Sequence, residues 1–211
     1  MSIFCSWSGG KDSTLALWHG LKMFGKVDYL FTMFSEDGIH SRAHGLTKEL
    51  LQRQSSSIGI PLITKSSSWE QYENKFLEFL KESVNGGTGI FGDIDLEGHK
   101  EWVENICRAQ NVTAVEPLWG RKREEVIKEF LDLGFKAKII SIKKELNIEK
   151  YLGIDLNYNL IEEFKNLGID ISGENGEYHT FVYAGPLFKG EVRFEVGEII
   201  EREGVYALSL R

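Results

Sequence analysis

The stretch Phe4-Cys5-Ser6-Trp7-Ser8-Gly9-Gly10-Lys11-Asp12-Ser13 decides how the rest of the chain is read. Ile3 to Trp7 is a short apolar run of strand type. Ser13 to Phe24 carries Leu17, Leu21 and Phe24 at i, i+4 and i+7, the spacing of one helix face. Between them lie two glycines, a lysine, an acid and hydroxyls. A loop that ends a strand and opens a helix offers unpaired N–H groups and a positive dipole end to an anion. Gly9 and Gly10 carry no side chain that would hold the backbone off a phosphate oxygen. Lys11 adds a point charge, and Ser8 and Ser13 add hydroxyl donors. Asp12 has two readings, a Mg2+ ligand or an acid at a helix start. The loop is neither GxxxxGK[ST], because Lys11 is followed by Asp12, nor GxGxxG.

Working outward, Tyr29 to Phe34 reads as a strand, Leu46 to Ile58 as a helix stopped by Gly59-Ile60-Pro61, and Leu62 to Thr64 as a strand. Trp69 to Ser83 is helical, Gly89 to Phe91 a short strand, Glu97 to Ala109 a helix and Val112 to Val115 a strand. Strand and helix alternating at this spacing argue an α/β fold with a doubly wound parallel sheet. The second half differs. Glu124 to Leu133 and Asn159 to Leu167 read as helices, Lys136 to Ile142 as a strand, and Val182 to Leu210 as antiparallel strands joined by glycine turns. The expected division is 1–120 and 121–211, with the boundary near Trp119 to Lys122 and a smaller α+β unit at the C-terminal side.

The chain has 211 residues and a net charge of −7, which argues against a large basic nucleic-acid face but leaves room for a local patch. No apolar run approaches the ~18 residues that span a bilayer, so no membrane partner is expected. The first ten residues lack a basic segment and a long apolar segment of the export type. Cys5 and Cys107 are the only cysteines. They form no CxxC and no structural zinc set, and two isolated thiols fit a reducing cytoplasm and a packing role.

Ser8 to Ser13 matches SGGxDS, and in this the loop resembles the PP-loop of the N-type ATP pyrophosphatases. Two further stretches narrow the resemblance: Gly173-Glu174-Asn175-Gly176-Glu177-Tyr178-His179-Thr180-Phe181 and Gly185-Pro186-Leu187-Phe188. With Glu116-Pro117-Leu118-Trp119-Gly120-Arg121 and the run Phe91 to Trp102, the chain resembles the diphthine–ammonia ligase family from Phe4 to about Phe188. The resemblance implies a HUP-type, Rossmann-like ATP-binding unit at 1–120 and an acceptor unit at 121–211. It implies the substrates ATP and ammonium, with Mg2+. A carboxylate is adenylated, pyrophosphate leaves, and ammonia displaces AMP to give an amide. In the named family the carboxylate belongs to diphthine on elongation factor 2.

The resemblance assigns Ser8, Gly9, Gly10, Lys11, Asp12 and Ser13 to ATP, with Asp12 as the Mg2+ candidate. Backbone groups at Met33 are candidates to read the adenine edge, while its side chain packs. Glu174, Glu177 and His179 share a glycine-punctuated loop. There carboxylates bind ammonium or Mg2+, and a histidine of near-neutral pKa accepts a proton. Asp93 sits at the ligand-facing edge of the sheet and joins Lys11 and Asp12 in the catalytic set. Asp95 reads equally as a helix cap, and His99 as a core residue on the Trp102–Ile106 face. His40, Arg42 and His44 belong either near phosphate or on a loop surface. Ala184 and His179 depart from the family's usual acids and resemble bacterial-type members, which leaves open a corrinoid-related carboxylate as acceptor. A PP-loop enzyme acting on tRNA is a separate alternative, against which the absent basic surface and catalytic cysteines count. A non-catalytic adenine-nucleotide binder is the remaining alternative, and a homodimer is compatible with the sequence.

Overall fold

A computed structural model of the chain describes residues 1–202 and 204–211. Strands β1 (Ile3–Ser6), β2 (Tyr29–Phe34), β3 (Leu62–Ser66), β4 (Thr88–Ile90) and β5 (Thr113–Val115) form a parallel sheet in the order β3-β2-β1-β4-β5. The crossovers carry α1 (Lys11–Phe24), α2 (Lys48–Ile58), α3 (Tyr72–Phe79) and α4 (Glu97–Ala109). The chain winds outward through β2 and β3, then returns past β1 to β4 and β5. The order therefore reverses between β1 and β4, and the carboxyl ends of these two strands frame the crevice where such sheets bind ligands.

Side-chain alternation places the sheet between two apolar layers. Phe4 enters an aromatic layer under α3 and α4 with Phe31, Phe76, Phe79 and Phe91. Its neighbour Cys5 points the other way, toward Leu15, Leu17 and Leu30. Phe31 stacks on Phe79 at 3.7 Å and Phe4 meets Phe79 edge-on at 5.0 Å. Such pairs add ~0.5–1.5 kcal/mol each beyond burial, which fixes the β1 register. Both cysteines are buried free thiols.

Helix α1 starts at Lys11, two residues before the apolar periodicity begins. The reason is local: the Thr14 N–H and Oγ1 both donate to the Gly10 carbonyl, at 3.1 and 2.8 Å. Thr47 caps α2 by accepting from the Leu50 N–H. The helix expected over Trp69 to Ser83 is shorter, and Leu80–Val84 continues α3 as a π-type turn.

The second half holds α5 (Arg123–Asp132), β6 (Lys136–Lys143), α6 (Tyr158–Asn166), β7 (Tyr178–Ala184), β8 (Val196–Arg202) and β9 (Val205–Leu210). Its antiparallel sheet runs β7-β6-β9-β8. The chain is thus a Rossmann-like α/β unit joined to a smaller α+β unit. One sequence expectation is corrected here. Strand β7 begins at Tyr178 rather than Val182, so His179 and Thr180 belong to the sheet and not to the loop before it. The two units share one apolar core, in which Leu15 and Leu17 of α1 belong to the same cluster as Phe130, Ile140 and Phe181.

Candidate functional site

Strand β7 lies directly against the loop between β1 and α1. The Val182 N–H donates to the Gly9 carbonyl at 2.9 Å, and the Lys11 N–H donates to Thr180 Oγ1 at 3.0 Å. Gln54, fully buried on α2, braces the same junction. Its Nε2 donates to the Gly9 and Val182 carbonyls at 2.9 and 2.6 Å, and its Oε1 accepts from Trp7 Nε1 at 3.0 Å. Gly9 has φ +80, and a Cβ there would meet Gln54 Oε1 at 2.7 Å, so only glycine fits. The expectation that every amide from Gly9 to Ser13 faces a phosphate is therefore refined. The Lys11 amide is already taken by Thr180. The amides of Gly9, Asp12 and Ser13 have no acceptor among the described residues. The Ser8 and Ser13 hydroxyls meet at 3.0 Å across the same concavity.

Lys11 is a buried lysine, 6% exposed. Its Nζ lies 2.6 Å from Asp12 Oδ2 and 3.9 Å from Glu174 Oε1. The loop residue expected to face ATP and the acid expected on the acceptor side thus share one cation. Asp12 Oδ1 is buried with no hydrogen-bond partner among the described residues. Burial first, and the Asp12 charge second, push the Glu174 carboxyl up to about 7, while Lys11 and Arg123 pull it down. Glu177 stands apart from this group. Its carboxylate accepts from the Asn175 N–H at 3.0 Å and from Asn175 Nδ2 at 3.3 Å, which closes its own turn.

Two histidines flank the loop. His44 Nδ1 lies 2.8 Å from the Thr180 carbonyl; because a carbonyl only accepts, Nδ1 carries the proton. Its ring covers Gly10 so closely that a Cβ there would meet His44 Cε1 at 2.1 Å. The His179 ring lies 4.6 Å from it, centroid to centroid. Burial pushes His44 down to about 4; burial and then the His44 ring push His179 down to about 3. The near-neutral His179 read from the sequence is corrected accordingly. Both imidazoles are neutral at pH 7, and beside Lys11 the group raised toward 7 is Glu174.

A cavity of about 570 Å³ opens at the carboxyl ends of β1 and β4. Ser6 forms its base and Tyr72, Phe76, Phe91 and Trp102 its apolar wall. At the mouth the Arg42 guanidinium lies 4.5 Å over the exposed Trp69 ring. Asp93 lines this cavity and holds His99 Nδ1 at 3.2 Å. His99 is therefore no core residue; its side chain is 65% exposed, and the Asp93 hydrogen bond raises its pKa. Asp95 does not cap α4, whose N-cap is Leu96. It pairs with Arg123 instead. The Met33 side chain is buried in the aromatic layer, and its carbonyl accepts the Arg42 N–H at 3.0 Å. Neither this cavity nor a larger groove of about 720 Å³, lined by Lys138, Tyr183 and Arg193, is lined by a residue from Ser8 to Ser13; the smaller one adjoins the loop through Ser6, the last residue of β1.

Sequence reasoning passed over Gln54, Thr180, Arg123 and the carboxyl of Glu116. Both Glu116 oxygens are buried in the turn after β5 without partners among the described residues; burial and the Asp93 charge push the group up to about 7. Glu116 opens a quoted motif, so the position was visible. Gln54 gave no signal, because a polar residue on an amphipathic helix reads as solvent-facing.

Comparison with known proteins decides the relationship. The family described as "Diphthamide synthase N-terminal domain" matches residues 1–114, and "Diphthamide synthase C-terminal domain" matches residues 122–207. The chain belongs to the diphthamide synthase family. Among curated relatives, the protein named diphthine–ammonia ligase of Homo sapiens is 34% identical over 124 residues, 57% of this chain and 46% of the human one. The Bos taurus protein of that name is 32% identical over 147 residues, 66% of this chain and 54% of its own. The Danio rerio protein is 24% identical over 180 residues, 82% and 71%. The chain spans about half the length of the first of these relatives. A solved structure titled "predicted subunit of tRNA methyltransferase" from Methanocaldococcus jannaschii covers 91% of this chain at 16% identity, with a TM-score of 0.45. No helix among the described residues is long and apolar enough to cross a membrane.

Proposed function

We propose that the protein is an ATP-dependent ligase that adenylates a carboxylate, releases pyrophosphate, and passes ammonia to the acyl carbon. The observation that carries this reading is the meeting of Lys11, Asp12 and Glu174 beside the open amides of the loop. The free Gly9, Asp12 and Ser13 N–H groups and Lys11 suit the phosphates. The aromatic cavity suits the nucleoside, with Arg42 and Trp69 closing on the base. A carboxylate oxygen of the acceptor attacks the α-phosphorus, and the bond to the bridging oxygen breaks with its electron pair on pyrophosphate. Ammonia then attacks the acyl carbon, AMP leaves, and the nitrogen sheds its surplus protons. Glu174 is the proton acceptor of suitable pKa in the group, since general bases work best near the ambient pH. His44 and His179 stay neutral and add no charge that would repel ammonium.

Mg2+ commonly uses one or two carboxylates together with phosphate oxygens, and no cluster of three or more metal-binding side chains occurs among the described residues. The partnerless Asp12 Oδ1 fits that mode. A bound Mg2+ would neutralise phosphate charge there. The acceptor follows from the relatives' name: a diphthine carboxylate on a protein, the reading the family membership favours over a corrinoid or tRNA acceptor. A nucleotide binder without chemistry has no use for a carboxyl tuned near 7 beside a phosphate loop, which favours the enzyme. Chromatography of nucleotide products, with a diphthine-bearing acceptor and with or without ammonium, tests the proposal. AMP and pyrophosphate are expected, with ammonium accelerating turnover; ADP and phosphate would refute it.

A further inference from the structure

We infer that Arg123 is a positioning residue for this reaction, holding the Glu174 loop against the Lys11–Asp12 pair from the opposite unit of the fold. Arg123 is the first residue of α5, just past the junction of the two units. Its Nε and Nη2 donate to the two oxygens of Asp95 at 2.7 Å each, and its Nη1 donates to Asp170 Oδ2 at 2.7 Å. Asp95 belongs to the loop after β4, the same loop that lends Asp93 to the nucleotide cavity. Asp170 belongs to the turn that carries Glu174. Its Oδ2 accepts the Glu174 N–H at 2.9 Å, and its Oδ1 accepts the Ser172 N–H at 3.1 Å. Ser172 Oγ returns to the Arg123 carbonyl at 3.3 Å, closing the circuit.

The guanidinium therefore ties a loop of the parallel sheet to the main-chain amide of the acid proposed as base. A planar fork makes three directed bonds at once, which an ammonium on a flexible stem does not reproduce. The guanidinium contacts none of the loop residues Ser8 to Ser13 and lies outside the lining of the aromatic cavity, so its effect passes through Glu174, whose main chain it places through Asp170 and whose carboxyl its charge helps to hold down. This inference rests on the proposed function.

The test is a double-mutant cycle with a direct readout of the loop. Arg123→Ala is expected to lower kcat by ~10²-fold, the scale of a small misplacement of a catalytic group. The KM for ATP should stay near that of the parent. In a Glu174→Gln background the same change should cost no more than ~2-fold, because residues acting as a unit are not additive. Arg123→Lys should fold like the parent and recover little of kcat. If Arg123→Ala fails to fold, Asp95→Asn, which loosens the anchor alone, takes its place and should shift kcat in the same direction. Amide hydrogen exchange at Glu174 should speed up in Arg123→Ala while the amides of α1 keep their protection. Equal losses in both backgrounds, or a rise in the KM for ATP that accounts for the loss, would overturn the inference. So would unchanged exchange at Glu174. If the parent forms no AMP with any carboxylate, the proposed function has failed, and the exchange measurement still decides whether Arg123 holds the loop.

Discussion

Lys11 and Glu174 reach the same spot by opposite routes. Lys11 stands on a helix whose start is fixed by neighbours: Gly10 receives the Thr14 donors, and Gly9, at φ +80, lets the backbone turn. Glu174 stands on a turn held by partners far away in sequence, above all Arg123, which binds Asp170 across 47 positions. One half of the site is written in consecutive residues and the other half in contacts. The first half takes its shape from local geometry and is then braced by Gln54 and β7, whereas the second has no such local frame and depends on how the two units pack. Variants can separate the two.

The largest expected effect is at the contact-built half. Glu174→Gln keeps the size of the side chain and removes the base, so amide formation should fall by ~10²–10⁴-fold. Exchange of labelled pyrophosphate into ATP in the presence of acceptor should survive, since adenylation does not need that proton transfer. Loss of exchange as well would mean that both halves act in the first step and that the contrast is wrong.

Lys11→Ala breaks the locally built half. A contact between charged groups contributes ~1.5–3 kcal/mol, so a turnover loss approaching ~10²-fold is expected. Because Lys11 is buried and neutralises two carboxylates, the melting temperature without ATP should fall too. The Glu174 titration should move upward, because Lys11 is one of the charges that hold it down. A variant with unchanged melting and unchanged nucleotide affinity would show that Lys11 is not the cation of the site.

Gly10→Ala tests how the halves touch. The new methyl would strike the His44 ring, and overpacking of this kind costs ~1–3 kcal/mol. Adding His44→Ala removes the obstacle and should restore most of the lost stability. Failure of that rescue would place the strain in the loop itself rather than in its cover.

The smallest effects are on pH dependence, and their signs differ. A histidine whose folded pKa is depressed binds fewer protons folded than unfolded between its two pKa values. His179 and His44 thus contribute stability that is present above the ordinary histidine pKa and lost as pH falls toward about 3 and about 4. Glu174, raised to about 7, binds more protons folded, so its contribution is lost as pH rises through the window below 7. On going from pH 7 to pH 5, the melting temperature of His179→Asn should drop less than that of the parent. That of Glu174→Gln should drop more. Parallel curves for all three proteins would mean that neither group is desolvated.

The sequence disclosed the local half well. Glycines, lysine and hydroxyls between an apolar run and a helix face placed the loop, and period and breakers gave the parallel sheet. The GENGEYHTF run pointed to Glu174, yet it left His179 and Glu177 on equal terms with it. Burial separates the three, and burial is not a local property. It lowers His179, it raises Glu174, and Glu177 is left to close its own turn. Gln54, Thr180 and Arg123 escaped for the same reason: each is an ordinary polar residue until a distant backbone arrives beside it.

The bond from the Lys11 amide to Thr180 spans 169 positions. A chain emerging from the ribosome makes its parallel strands and the glycine loop early, but that amide waits until Thr180 has been made. Contacts of such long range form late because the intervening chain must be ordered first. A half-made protein has the glycine loop without Glu174 and without the strand that seats it. A copy that stops short of Glu174 holds the loop but lacks the acid that the proposed reaction would use.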